Sequence, residues 1–88
     1  MTRNVIITSP HGLHLRPIGA FVELANKYQC DVAVSKGEQR VNGKSAIHLL
    51  GLGAQPGAEL TLEVTGPDAD RAIDMLAEAL ARVFPDDE

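Results

Sequence analysis

The stretch Glu59-Leu60-Thr61-Leu62-Glu63-Val64-Thr65 alternates polar and apolar residues without a break. Because successive side chains of a β-strand point to opposite faces, this alternation predicts a strand that buries one face and exposes the other to water. Gly66-Pro67-Asp68 then supplies a turn, a proline and a helix-capping residue. Helical three- and four-residue spacing follows until Pro85, carried by Ala69, Ala72, Ile73, Leu76, Leu80 and Val83. A half-buried strand followed by an amphipathic helix indicates that helices cover one side of an antiparallel sheet.

The residues before this stretch predict three more strands. The first covers Val5–Ile7 and ends at Ser9-Pro10, because proline donates no hydrogen bond to a sheet. The other two, Asp31–Lys36 and Gln39–Asn42, are joined by the turn signal Gly37-Glu38. They are predicted to form a hairpin.

Two further helices complete the predicted order. One begins just after His14, and its buried face is predicted to carry Leu15, Ile18, Val22, Ala25 and Tyr28. The other is short, with Ser45 as its cap, Ala46–Leu50 as its body, and Gly51 and Gly53 as its stop signals. The order β-α-β-β-α-β-α predicts an α+β fold, an open-faced two-layer sandwich.

Length and composition are those of one small domain covering residues 1–88. The chain has 44% hydrophobic and 23% charged residues, enough for a single core without room for a large cofactor. Its apolar runs are short and broken by charges, which predicts a cytoplasmic protein that does not enter the membrane. Cys30 is the only cysteine, so it can form no internal disulfide, and it is predicted to be a half-buried small apolar residue.

Charge is unevenly distributed along the chain. Residues 1–58 hold six of the eight basic residues, whereas residues 59–88 hold nine of the twelve acidic ones. Neither part has the dense Lys/Arg cluster with interleaved aromatics that nucleic-acid binding requires, so no nucleic-acid partner is predicted. An acidic protein partner that contacts the basic part is the better match.

The segment Gly12-Leu13-His14-Leu15-Arg16-Pro17 places an imidazole at the start of the first helix. The first N–H groups of a helix have no internal partner, so those of Leu15 and Arg16 are free to bind an anion. The helix dipole and the Arg16 guanidinium would favour a phosphoryl group beside His14 and would disfavour imidazolium, which keeps a nucleophilic lone pair available. These are the ingredients of a phosphohistidine. The alternative is a surface histidine that only caps the helix.

Other chemistries have weaker support in the sequence. His11, His14 and His48 have no thiolate or nearby carboxylate to complete a zinc site, so no metal is predicted. A GxSxG nucleophile motif is missing, and Gly51-Leu52-Gly53 lacks the length and the lysine of a phosphate-binding loop.

Three segments, in this order, resemble the HPr family, the histidine-containing phosphocarriers of the bacterial phosphoenolpyruvate-dependent sugar phosphotransferase system. They are Gly12–Pro17, Val41-Asn42-Gly43-Lys44-Ser45 and Leu49-Leu50-Gly51-Leu52-Gly53-Ala54. The resemblance covers nearly the whole chain. It implies the same sandwich, with strand order 1-4-2-3 and three helices on one face of the sheet, in a monomer without a cofactor.

The resemblance also implies a mechanism. His14 would accept a phosphoryl group on Nδ1 from enzyme I and pass it to an enzyme IIA, so the protein would be an intermediate in transfer and not an independent enzyme. Arg16 would stabilise the phosphate. Ser45 matches the serine that HPr kinase/phosphorylase phosphorylates in many bacteria, although it could serve as a helix cap alone.

The chain departs from the common family pattern at several positions. Leu15 and Ile18 replace the alanines on either side of Arg-Pro, which makes the surroundings of the histidine bulkier. In the second helix, Ile47, His48 and Leu50 stand where the family usually has methionines and a glycine, and they are the predicted partner-binding residues. Ordinary helix packing of Ile47 and Leu50 and simple solvation of His48 are the alternatives. Two other functions remain open: a regulatory binding module controlled by phosphorylation of Ser45 or His14 without sugar transport, and a phosphocarrier of the nitrogen branch.

Overall fold

Seven helices and strands follow one another in the predicted order. The computed structural model describes residues 1–7, 15–53, 55 and 57–82, without the side chains of 15–17 and 82. The elements are β1 (Thr2–Ile6), α1 (Leu15–Ala25), β2 (Asp31–Lys36), β3 (Gln39–Asn42), α2 (Ala46–Gly51), β4 (Glu59–Thr65) and α3 (Ala69–Arg82). The predicted helical positions Val83 and Pro85 lie outside the described residues.

The four strands form one antiparallel sheet in the order β1-β4-β2-β3, which confirms the predicted topology. The alternation in β4 is confirmed as well, because Leu60, Leu62 and Val64 are buried while the residues between them are more accessible. Val64 is paired with Val32 and Leu62 with Val34, so two adjacent strands present one continuous apolar surface to the helices. The opposite face of the sheet is open.

The prediction for the first strand was wrong in its bounds. Strand β1 begins at Thr2, three residues before the predicted start, and only Val5 within it is buried. Because β1 lies at the edge of the sheet, main-chain pairing with β4 defines it and its side chains can remain polar. Arg3, for example, reaches across to α3 and forms a 2.9 Å ion pair with Asp74. Ile7 is buried just beyond the strand.

The buried face of α1 differs from the predicted one. Tyr28, predicted to continue this face, lies beyond the end of the helix and is partly buried, and the Leu15 side chain is not among those described. Ile18 and Ala25 are fully buried as predicted, but Phe21 is 1% exposed whereas Val22 is only half-buried. Residues 18, 21 and 25 lie three and four apart, so they share one side of the helix. The buried face of α1 is therefore centred on the phenylalanine. Cys30, predicted to be half-buried, is buried and carries a free thiol.

We expect Phe21→Ala to destabilise the fold more than Val22→Ala does. Removal of a fully buried aromatic ring leaves a cavity and costs about 3–5 kcal/mol, whereas truncation of the half-buried valine costs about 1 kcal/mol. Urea unfolding of the two variants measures the difference in free energy of unfolding. Equal losses would contradict the assignment of Phe21 to the centre of the core.

Asp68 stands directly before α3, at the position predicted for a cap, and its carbonyl oxygen accepts a 2.9 Å hydrogen bond from the Ala72 N–H. Its carboxylate accepts a 2.8 Å hydrogen bond from the Gln29 main-chain N–H and a 3.3 Å bond from Arg71 Nη2. These bonds hold the pKa of the Asp68 carboxyl below its ordinary value. The carboxylate thus ties the start of α3 to the turn that precedes β2.

Candidate functional site

The predicted phosphoryl chemistry is centred on the start of α1. This helix begins at Leu15, directly after His14, as predicted. The main chain of Leu15 and Arg16 therefore forms the first turn, where N–H groups have no partner within the helix. His14, together with His11, lies outside the described residues, and so does the Arg16 side chain. The roles of these residues stay predictions.

The second predicted site residue, Ser45, caps α2. Its backbone is extended, with φ −116° and ψ 116°, and its Oγ accepts a 3.4 Å hydrogen bond from the main-chain N–H of His48. The Ser45 carbonyl oxygen also accepts a 3.1 Å bond from the Leu49 N–H, the first bond of the helix. At the other end, Gly53 adopts φ +64°, a left-handed conformation that stops a helix and that glycine adopts readily. The serine cap and the stop at Gly53 are thereby confirmed, whereas Gly51, predicted as a second stop signal, is the last residue of the helix.

Helix α2 presents an apolar surface to solvent. Ile47 is 80% and Leu50 is 47% exposed, whereas Leu49 between them is fully buried. Leu49 therefore anchors α2 to the core, and Ile47 and Leu50 do not pack inside the protein. His48 is exposed beside them. We refer to Ile47, His48 and Leu50 as the α2 surface.

Two lysines that the sequence did not single out fix the position of α2. Lys36 Nζ donates a 3.0 Å hydrogen bond to the carbonyl oxygen of Leu52, the residue that caps the end of the helix. Lys44 Nζ donates a 3.0 Å bond to the carbonyl oxygen of Tyr28, which follows α1. Each contact joins residues that are far apart in the sequence, so no local sequence pattern predicts it.

The motif Val41–Ser45 has a structural basis at Gly43. The Gly43 N–H donates a 2.7 Å bond to the Val32 carbonyl oxygen, and a Cβ at this position would clash with Val32 Cγ1. Only glycine permits the chain to pass this close to β2. The side chain of Asn42 then accepts a 2.9 Å bond from the Lys44 N–H, which turns the chain toward Ser45. The motif thus sets where α2 begins.

The comparisons with known proteins agree with this arrangement. Residues 1–82 match the protein family described as the PTS HPr component phosphorylation site. The chain is 36% identical over 79 residues to the phosphocarrier protein HPr of Chlamydia muridarum, covering 90% of this chain and 76% of that protein. It is 39% identical over 66 residues to the HPr-like protein Crh of Bacillus subtilis, covering 75% and 78% of the two chains.

A solved structure gives the same result for the fold. The crystal structure of HPr from Thermoanaerobacter tengcongensis superposes with a TM-score of 0.90 at 30% identity, covering 100% of this chain and 99% of that one. The fold and its matched sequence define a phosphocarrier domain of the phosphotransferase system. The chain belongs to the HPr family.

In the described part of the chain, each helix is too short or too polar to cross a bilayer.

The α2 surface is the predicted partner-binding part of the site, and the structure describes its side chains. The candidate elements are the start of α1, which directly follows His14 in the chain, and α2, which packs against α1 and displays exposed apolar side chains.

Proposed function

We propose that this chain carries a phosphoryl group on His14 Nδ1 between enzyme I and an enzyme IIA of the phosphotransferase system. The observation that carries the proposal is the position of His14 immediately before the first turn of α1, within the segment that the HPr family shares. The protein would act only as an intermediate between two partner proteins. It would not turn over a free substrate by itself.

The start of α1 suits the chemistry of transfer. The lone pair of Nδ1 forms the nitrogen–phosphorus bond while the bond from phosphorus to phospho-enzyme I breaks, and the reverse exchange delivers the group to the next protein. The free N–H groups of Leu15 and Arg16 would donate to the phosphoryl oxygens, and Pro17 has no N–H to place there. A guanidinium at Arg16 would add paired donors to the same oxygens.

The test of this function is a two-step transfer. The purified chain is incubated with phosphoenolpyruvate and enzyme I, and the phosphorylated product is isolated and mixed with enzyme IIA proteins. We expect one phosphoryl group on this chain and its loss to a cognate enzyme IIA. A chain that takes up no phosphoryl group from enzyme I would contradict the proposal.

For Arg16→Ala we expect a transfer rate at least about tenfold lower, because a charged donor that acts on developing phosphoryl charge is lost. The melting temperature should stay nearly constant. The transfer rate of Arg16→Lys, which keeps the charge but loses the paired donors of the guanidinium, should lie between the rates of Arg16→Ala and the wild type. Rapid-quench measurement of His14 phosphorylation gives the rates, and equal rates for Arg16→Ala and wild type would refute the role.

Partner contacts are proposed for the α2 surface. Its exposed apolar side chains Ile47 and Leu50 stand on a helix that packs against α1. Burial of such side chains against a partner removes apolar area from water, which favours association. Ser45 at the start of the same helix is the proposed site of regulatory phosphorylation by an ATP-dependent HPr kinase/phosphorylase.

A second function is supported by the similarity to the HPr-like protein Crh. Under this alternative the chain is a regulatory binding module that takes no part in sugar transport. Phosphorylation of Ser45 or His14 would then control its affinity for a partner protein. A carrier of the nitrogen branch would keep the His14 chemistry with other recipients. The enzyme IIA step of the transfer assay separates these cases, because only a sugar-transport carrier passes its group to a sugar-specific recipient.

A further inference from the structure

His48 and Ser45 are brought together by the geometry of α2. Ser45 is the cap and His48 the third residue of the helix, and the His48 N–H donates to Ser45 Oγ at 3.4 Å. Side chains of a helix lean toward its start, which is why the third helical residue can reach back to the capping residue. Glutamate or glutamine often occupies this place. In α2 the residue at this place is His48, whose side chain is exposed.

The two residues also share one side of α2. Successive side chains of a helix are rotated by about 100°, so Ile47 lies opposite the buried Leu49. We call the exposed line of the helix at Ile47 the crest. Leu50 lies on one side of the crest and His48 on the other. Ser45 lies on the His48 side. The exposed surface of α2 is therefore divided into an apolar side with Leu50 and a polar side with Ser45 and His48.

Two described lysines beside α2 have other partners. Lys44 Nζ is bound to the Tyr28 carbonyl and Lys36 Nζ to the Leu52 carbonyl. Of the elements packed against α2, β3 carries Arg40, which is paired with Glu63 at 2.8 Å, and the described charged side chain of α1 is Glu23. Within the described residues the His48 imidazole has no hydrogen-bond partner, so its donors are available to a new anion.

We propose that His48 is a positioning residue for a phosphoryl group on Ser45, which it binds as imidazolium on the polar side of α2. The inference rests on the Ser45 modification proposed above. In that modification the Oγ–phosphorus bond forms as the bond from the γ-phosphorus of ATP to its bridging oxygen breaks, and the hydroxyl proton leaves to a base of the kinase. The product carries roughly −1.5 to −2 charges near neutral pH. His48 would supply a positive charge within one turn of Ser45 and would hold the group away from Leu50.

The experiment uses the full chain with phosphoserine installed at position 45 during translation, so that no kinase is required. Phosphorus NMR follows the second ionisation of the phosphoryl group from pH 5 to 8 in wild type and in His48→Gln. A neighbouring cation favours the dianion, so the pKa of the phosphoryl group should be about half a pH unit lower in wild type, a roughly threefold larger proton dissociation constant. His48→Lys, which keeps a positive charge, should restore the lower value.

A matched control moves the imidazole by one position. The double variant Ile47→His with His48→Gln keeps one imidazole on α2 but places it on the crest, away from Ser45, and it should behave like His48→Gln. Equal values in wild type and His48→Gln would overturn the proposal, as would full restoration by the double variant or none by lysine. Because neither enzyme I nor the histidine transfer enters the measurement, its failure is separate from a failure of the carrier function.

Discussion

Replacement of His14 by alanine is expected to abolish phosphorylation of this chain by enzyme I and phosphoenolpyruvate. The alanine side chain has no lone pair to attack phosphorus, and covalent transfer has no substitute for the nucleophile. The wild type should take up one phosphoryl group per chain. That group should be lost in acid and kept in base, because a phosphoramidate is acid-labile. Intact-protein mass spectrometry before and after acid treatment measures both properties.

This variant is designed to remove the nucleophile and keep the fold. The core residues that α1 supplies within the described part of the chain are Ile18, Phe21 and Ala25, which all follow His14 in the sequence. A thermal melt should therefore show a folded protein with nearly wild-type stability. Label retained in His14→Ala, or found on His11 or His48 in the wild type, would contradict the assignment of the phosphorylated residue.

Much of the sheet could be predicted because its residues carry local signals. Strands β2, β3 and β4 have the predicted bounds, since polar and apolar residues alternate in β4 and a turn separates β2 from β3. Strand β1 lacks such a signal. It pairs with β4, a strand distant in sequence, through main-chain hydrogen bonds. Polar side chains such as that of Arg3 do not determine this pairing, so they give no sequence signal for it.

The buried face of α1 shows a second limit of local reasoning. Phe21 and Val22 both fit an apolar stripe with helical spacing, and the difference between them depends on which side of α1 faces the sheet. The rotation of α1 about its axis is decided by packing against other elements, among them α2 and α3. Spacing within one helix predicts that a face is buried, but it does not define the centre of that face.

At the candidate site, the sequence predicted the local features and missed the tertiary ones. The start of α1 and the Ser45 cap follow from residue types next to each other in the chain. The contacts of Lys36 and Lys44 join segments 16 residues apart in each case. The need for glycine at position 43 arises from the approach of β2. Such requirements exist only once the sheet has formed.

These tertiary contacts explain how so short a helix can serve as a binding surface. An isolated helix of six residues is not stable in water. Burial of Leu49, the Ser45 cap and the Lys36 bond to the Leu52 carbonyl hold α2 in place. Ile47 and Leu50 are consequently exposed on a helix that is already ordered. Little conformational freedom of α2 is lost when a partner binds, which favours affinity. A charge introduced at the edge of this surface would then act on docking and not on folding.

Ser45→Asp is accordingly expected to slow enzyme I-dependent phosphorylation of His14 by about tenfold or more at moderate salt, equivalent to about 1.4 kcal/mol. The carboxylate lies at the edge of the α2 surface, on the side of His48, so a partner that docks over this surface must desolvate it or oppose it with like charge. Aspartate is a good helix cap and an anion suits the start of a helix, so the fold should be retained.

The matched control is Ser45→Asn, which caps a helix as well as aspartate does and has nearly the same shape without the charge. Ser45→Ala removes the cap and should cost about 1 kcal/mol of stability with little effect on the transfer rate. Initial rates of His14 phosphorylation are compared at subsaturating protein concentration, with a thermal melt for each variant. Because the effect of the charge is on docking, the Asp variant should approach the Asn variant at saturating concentration. If Ser45→Asp folds normally and accepts phosphate as fast as Ser45→Asn, Ser45 acts as a helix cap alone and a charge there does not control the α2 surface.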